Sequence, residues 1–237
     1  MKLQKLYSLT RQAIERYQMI EAGDKIAVGL SGGKDSFALL YALSGLRTFY
    51  PKPFYLEAII VDLGFSKMDF SSATELCKKL AVPCHVVSTK IADIVFEKRN
   101  EKNPCSLCAK LRKGALNEKA HTLGFQKIAY AHHQDDVIET LLLSLFYEGR
   151  FSCFSPVTFL ERTKLTVIRP FIYLSEAELI GFQNAYSLPV VKNTCPMDGN
   201  SKRAYIKQVI RQLNLENPGM KQQLFSALVH SEIDGWK

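Results

Sequence analysis

Residues 25–43 read KIAVGLSGGKDSFALLYAL, and a change of rhythm inside that stretch decides the fold. Residues 25–31 form a short apolar run of strand length. Gly32 and Gly33 break it, and Phe37, Leu39, Leu40 and Leu43 then follow a helical pattern. The same succession recurs outward. An apolar run from Phe54 to Leu63 precedes the helix-like SSATELCKKLA, and Cys84 to Ser88 forms a third strand. A loop around Asn100 to Pro104 leads to a helix from about Ser106 to Leu123 and a fourth strand, Lys127 to Ala131. The helix after it carries Ile138, Leu141, Leu142, Leu145 and Phe146, and Leu165 to Arg169 is a fifth strand. Strands alternating with helices imply a parallel sheet. The remainder reads as helices, with Ser175 and Glu178 spaced as a capping box before segments Arg203 to Leu213 and Met220 to Val229.

The expected fold is therefore α/β and Rossmann-like, a central parallel sheet of about five strands with helices on both faces and a helical C-terminal portion. The expected organisation is one domain over 1–237, with an N-terminal helix in 1–22, a nucleotide-binding core in 23–172 and the helical portion in 173–237. The chain has 237 residues, 47% hydrophobic and 23% charged, which excludes disordered, collagen-like and low-complexity classes. The opening MKLQKLYSLTRQAIERYQ breaks its apolar residues with polar ones, unlike a signal peptide. Its apolar runs fall far short of the ~20 residues needed to cross a bilayer. A cytoplasmic location and no membrane partner are expected. Thirty-one Lys and Arg against 23 Asp and Glu leave +8, a balance suited to a polyanionic partner, nucleic acid first.

Three constellations carry chemistry. In Ser31-Gly32-Gly33-Lys34-Asp35-Ser36, two glycines permit positive φ and let backbone N–H groups converge at a helix N-terminus, a cradle for phosphate. Lys34 adds a mobile cation, and Asp35 suits Mg²⁺, which accompanies nucleotide phosphates. A plain glycine turn with a helix cap is the structural alternative. The spacing is not that of the Walker loop, G-x-x-x-x-G-K-S/T. In the second, His132-His133-Gln134-Asp135-Asp136 opens a helix at the end of the fourth strand. The aspartates either cap that helix or act on a reacting group or cation. In the third, Cys105 and Cys108 open a basic helix and Cys195 lies far downstream, while Cys77, Cys84 and Cys153 stand singly. One CxxC suits a redox pair or half a zinc site, and a single Cys suits a core. Three thiolates without an evident fourth ligand suit a 4Fe-4S cluster with one open iron.

The glycine turn resembles the PP-loop of ATP pyrophosphatases, which transfer AMP to a substrate oxygen and release pyrophosphate. AHHQDDVIET at 131–140 resembles the HHxDDxxET signature of the tRNA-modifying members. With CSLCAKLRKGAL at 105–116, IRPF at 168–171 and Cys195-Pro196, the chain is similar to the tRNA 2-thiocytidine synthetases along nearly its whole length. That resemblance implies ATP held by Ser31, Gly32, Gly33, Lys34, Asp35, Ser36, Asp62, His132 and Arg169, with Mg²⁺ on Asp35. It implies a 4Fe-4S cluster on Cys105, Cys108 and Cys195, and catalytic roles for Asp135, Asp136 and Arg112. The implied product is 2-thiocytidine at position 32 of tRNA, the implied sulfur source a cysteine desulfurase system, and a homodimer is a further expectation. Lys110, Lys113, Arg203, Lys207 and Arg211 are the expected RNA contacts, with Lys98, Arg99 and Lys102 completing the basic cluster around the CxxC. A solvated face is the plainer reading of the Arg203, Lys207, Arg211 stripe. Competing functions are a 2-thiouridine synthetase, a lysidine-type ligase and a non-catalytic nucleotide- or redox-sensing module.

Overall fold

In a computed structural model, which describes all residues except 66–67, 100–103, 192–194, 196–200, 232, 234 and 237, the chain runs as an alternation of strands and helices. In order these are α1 (Leu3–Arg16), β1 (Lys25–Leu30), α2 (Lys34–Leu46), β2 (Tyr55–Asp62), α3 (Ser71–Lys79) and β3 (Cys84–Ser88). A π-helical stretch (Asp93–Lys98), α4 (Pro104–Thr122), β4 (Lys127–Ala129), α5 (Gln134–Glu148), β5 (Val157–Leu160) and β6 (Leu165–Ile168) follow. The chain continues through α6 (Glu176–Tyr186), α7 (Lys202–Glu216) and α8 (Met220–Val229). Most of the loop expected around Asn100 to Pro104, with Lys102, lies outside the described residues. No described helix is long and apolar enough to cross a membrane.

The six strands form one sheet in the order β3-β2-β1-β4-β6-β5. The first five of that order are mutually parallel, as expected. β5 adds an antiparallel edge against β6, Val157 opposite Ile168. Side chains alternate across the sheet as a pleat requires. Ile26, Val28 and Leu30 enter one apolar layer with Phe37, Leu40 and Leu43 of α2, all at most 2% exposed. Ala27 enters the other, with Ile59, Val61, Val95 and Leu116. Burial of one such Leu or Phe contributes about 1.5–3 kcal/mol. Trp236 is fully buried, with edge-to-face contacts to Tyr17 and Phe225, and so ties the distal chain to the end of α1.

The strand order reverses between β1 and β4. Ligands of open α/β sheets settle in the crevice beyond the carboxyl ends of such a strand pair. Residues 31–36 leave β1 at that edge and residues 130–136 leave β4 there.

Candidate active site

The glycine turn is built by its own hydroxyls. Gly32 stands at φ +86°, and Gly33 caps α2 from extended geometry. The Gly33 N–H donates to Ser31 Oγ at 3.2 Å. Ser36 Oγ accepts from the Ser31 N–H at 3.1 Å and donates to the Gly33 carbonyl at 2.8 Å. Lys34 Nζ lies 3.2 Å from Asp35 Oδ2 and 3.4 Å from Glu176 Oε1. Asp35 Oδ1 is buried with no partner. An unpartnered carboxylate oxygen beside a phosphate cradle suits a divalent cation. From far downstream, the Val191 N–H donates to the Gly32 carbonyl at 2.9 Å.

One cavity of about 390 Å³ joins this turn to the cysteines: Ser31, Cys105, Cys108, Arg112, Lys113, Tyr130, His132 and Cys195 all line it. Two larger hollows lie along α1 and beneath α7, about 680 and 620 Å³, and neither is lined by the turn or by a thiol. The Cys105–Cys108 pair and Cys195, far downstream, thus line one cavity with Ser31 of the glycine turn. Burial pushes the Cys108 thiol up, Arg112 pulls it down, and Cys195 and Cys105 add to the rise. Among the described residues no group of three or more His, Cys, Asp or Glu is gathered closely enough to hold a metal ion.

Two cations, Arg112 and Lys113, stand in a largely apolar lining, and Arg169 lies outside it. Burial pushes the Arg112 guanidinium down, against the pull of Cys108 and Tyr130, and it lowers Lys113, with Arg169 and Arg203 repelling it further. Buried Arg169 is brought down to about 10, lies over the Phe154 ring at 4.9 Å and donates to the Ser155 carbonyl and Thr158 Oγ1. Half-buried Arg112, buried Arg169 and the more exposed Lys113 together favour an anionic ligand.

His132 sits among them, 4.8 Å centroid to centroid from Phe154, its Nδ1 buried without a partner. Burial first, and Arg169 next, bring its pKa down from 6.5 to about 3. The unfolded chain then binds a proton over that interval which the folded protein refuses, so stability falls as pH falls, by up to about 1.4 kcal/mol per pH unit. Denaturant unfolding of wild type and His132→Phe at pH 6.5 and about 5 checks this. The variant should lose less stability on acidification, and equal losses would refute it.

The aspartates after β4 face elsewhere. Asp135 Oδ2 accepts the Glu176 N–H at 2.7 Å and Oδ1 lies 2.6 Å from Lys221 Nζ. Burial alone would raise its carboxyl, but Lys221, the Glu176 amide and His133 hold it below the usual range. Asp136 Oδ2 accepts the His133 N–H at 3.1 Å, closing a capping box on α5, and Oδ1 lies 3.5 Å from Arg203. Asp135 joins α5 to α6 and α8, and neither aspartate lines the thiol cavity, whereas Arg112 does. Asp62 accepts the Gly64 N–H at 2.9 Å and also lies outside the lining. Of the expected RNA contacts, Lys113 faces the cavity and Lys110 is exposed. Arg203 and Lys207 pair with Glu139, whose carboxylate is 2% exposed, at 2.9 and 3.6 Å. Arg211 lines the hollow beneath α7. Tyr130, Glu139, Glu176, Val191 and Lys221 were not singled out by sequence reasoning. Only Glu139 had a signal, as part of the HHxDDxxET string.

A family model described as a PP-loop domain matches residues 5–214. The tRNA-cytidine(32) 2-sulfurtransferase of Pelobacter propionicus is 39% identical over 220 residues, covering 92% of this chain and 82% of that one. The protein of the same name from Geobacter sulfurreducens is 36% identical over 230 residues, covering 96% and 90%. The chain belongs to the tRNA-cytidine(32) 2-sulfurtransferase family of PP-loop proteins. Among solved structures, the U34-tRNA thiolase NcsA of Methanococcus maripaludis with its 4Fe-4S cluster superposes with a TM-score of 0.80 at 23% identity, covering 98% of this chain and 81% of that one. The NH3-dependent NAD synthetase of Campylobacter jejuni superposes at 0.52 and 16% identity, covering 94% and 92%. At those identities both likenesses speak for the fold, which this family shares with proteins of other names.

Proposed function

We propose that the chain is an ATP-dependent tRNA sulfurtransferase that replaces the C2 oxygen of cytidine 32 by sulfur. The observation that carries this reading is the meeting of Ser31, Arg112, Lys113 and three thiols in one cavity beside the glycine turn. The turn's backbone and Lys34 hold the ATP phosphates, and Mg²⁺ on Asp35 spreads their charge. The C2 oxygen of an extruded cytidine attacks the α-phosphorus, the bond to the β-phosphate oxygen breaks, and pyrophosphate leaves. Arg112 and Lys113 neutralise the growing negative charge. Hydrosulfide then adds at C2 through its lone pair, the C2–O bond breaks and the sulfur gives up its proton, so AMP departs with the former base oxygen and the base keeps sulfur.

The donors are of the kind an iron–sulfur group takes, because three soft sulfurs line one cavity and Arg112 offsets thiolate charge, and holding such a group requires the three to draw closer than they stand here. A 4Fe-4S cluster held by Cys105, Cys108 and Cys195 would supply Lewis-acidic iron to present that sulfide, and a desulfurase-type donor, whose sulfur leaves as persulfide, reaches the same level with two electrons from a thiol reductant. His132, kept neutral, and the aromatic pair Tyr130 and Phe154 give the base an apolar, weakly hydrated neighbourhood. RNA reaches the site over Lys110 and Lys113, contacts whose strength falls with salt.

The test is an anaerobic reaction of the purified protein with ATP, Mg²⁺, a sulfide source and unmodified tRNA. Pyrophosphate release that depends on tRNA, with 2-thiocytidine in the nucleoside digest, is the expected result. A thiouridine or lysidine in the digest would move the chain to another branch. ATP binding without tRNA-dependent pyrophosphate would make it a sensing module.

A further inference from the structure

Lys34 is the mobile cation of the glycine turn, and its ammonium is gripped from two elements. Asp35 holds it from the turn itself at 3.2 Å, and Glu176 holds it from the first residue of α6 at 3.4 Å. The Glu176 carboxylate is shared, because Lys207 Nζ of α7 lies 3.0 and 3.2 Å from its two oxygens. Burial would raise that carboxyl, but Lys207, Lys34 and His133 keep it below the usual range, so it remains an anion.

The start of α6 does not depend on this carboxylate. Asp135 receives the Glu176 backbone N–H at 2.7 Å. Ser175 and Glu178 form the capping box, with the Ser175 N–H donating to Glu178 Oε2 at 2.8 Å and the Glu178 N–H donating to Ser175 Oγ at 3.3 Å. What remains for the Glu176 side chain is electrostatic: it faces two lysines, one on the nucleotide turn and one on the helix beneath. A lysine ammonium on its four-carbon stem has many rotamers to lose, and a fixed carboxylate selects among them.

We propose that Glu176 is a positioning residue for Lys34, aiming its ammonium from across the crevice so that nucleotide phosphate meets it in the reactive arrangement. The proposal rests on the reading that ATP occupies the glycine turn. It has an unusual signature, because the carboxylate both aims the ammonium and competes with phosphate for it. Removing the charge relaxes the competition, which favours ground-state binding, and abolishes the aim, which disfavours turnover.

The experiment uses Glu176→Gln in the full chain, with two readouts. Calorimetry with an ATP analogue whose α–β bridge resists cleavage gives binding. The kcat and KM of tRNA-dependent pyrophosphate release give turnover. The Gln variant should bind the analogue as tightly as wild type or up to about fivefold more tightly, while kcat falls about tenfold. Glu176→Asp, which keeps the charge, should recover part of kcat. In a Lys34→Ala background the Gln substitution should cost nothing further, because the residue through which it acts is gone. An unchanged kcat, or losses that multiply in the double variant, would overturn the proposal. Wild type that binds the analogue beside a Gln variant with normal kcat overturns this proposal alone. Wild type that fails to bind it overturns the nucleotide reading and this proposal together.

Discussion

Cys108→Ala is expected to stop thiolation. A drop of about a thousandfold or more corresponds to at least about 4 kcal/mol of barrier, while affinity for an ATP analogue should stay within about twofold of wild type. The separation follows from geometry. Cys108 lies on α4 and takes no part in the hydrogen bonds of the turn, which run among Ser31, Gly33 and Ser36. Burial holds the protonated thiol in favour at Cys108, with Arg112 opposing, and a metal ion binding there has to displace that proton. The variant should also lose the broad visible absorption of an anaerobically prepared cluster. Undiminished 2-thiocytidine in the digest would remove Cys108 from the chemistry.

Gly32→Ala should weaken ATP binding about tenfold or more, roughly 1.4 kcal/mol. Two costs coincide there. The backbone stands at φ +86°, a left-handed conformation that costs an L-residue about 1–2 kcal/mol, and a new Cβ would lie 3.0 Å from Val191 Cβ. Gly23 provides the control. It has the same φ of +86° with nothing within 4 Å of an added Cβ, and it precedes β1 rather than following it. Gly23→Ala should lose comparable stability and keep full affinity for nucleotide. Calorimetry on the two variants decides: equal affinities would mean that the turn does not hold the phosphates.

The parts of this protein that were legible in its sequence are those set by local chemistry. Strand, glycine turn and helix are contiguous at 25–43, and the Ser175–Glu178 box announces its helix within four residues. β5 escaped notice because VTFL is only four residues long and meets its partner through a turn with Lys164 at positive φ. The π-helical stretch at Asp93–Lys98 has no periodicity that separates it from an α-helix. In the site, Cys105, Cys108 and Cys195 stand out by the kind of residue they are, and all three line one cavity. The tasks of Asp135, Arg203 and Lys207 were not legible. Each meets a partner between 31 and 86 residues away: Lys221 for Asp135, Glu139 for Arg203, Glu176 for Lys207. A stripe of cations in a sequence does not say which carboxylates lie beneath it.

The bond from the Val191 amide to the Gly32 carbonyl has a bearing on biogenesis. A chain emerging amino end first presents residues 31–36 early, yet their backbone lacks this brace until residue 191 has left the ribosome. The bonds among Ser31, Gly33 and Ser36 can form as soon as the turn emerges, whereas the one from Val191 waits for most of the chain.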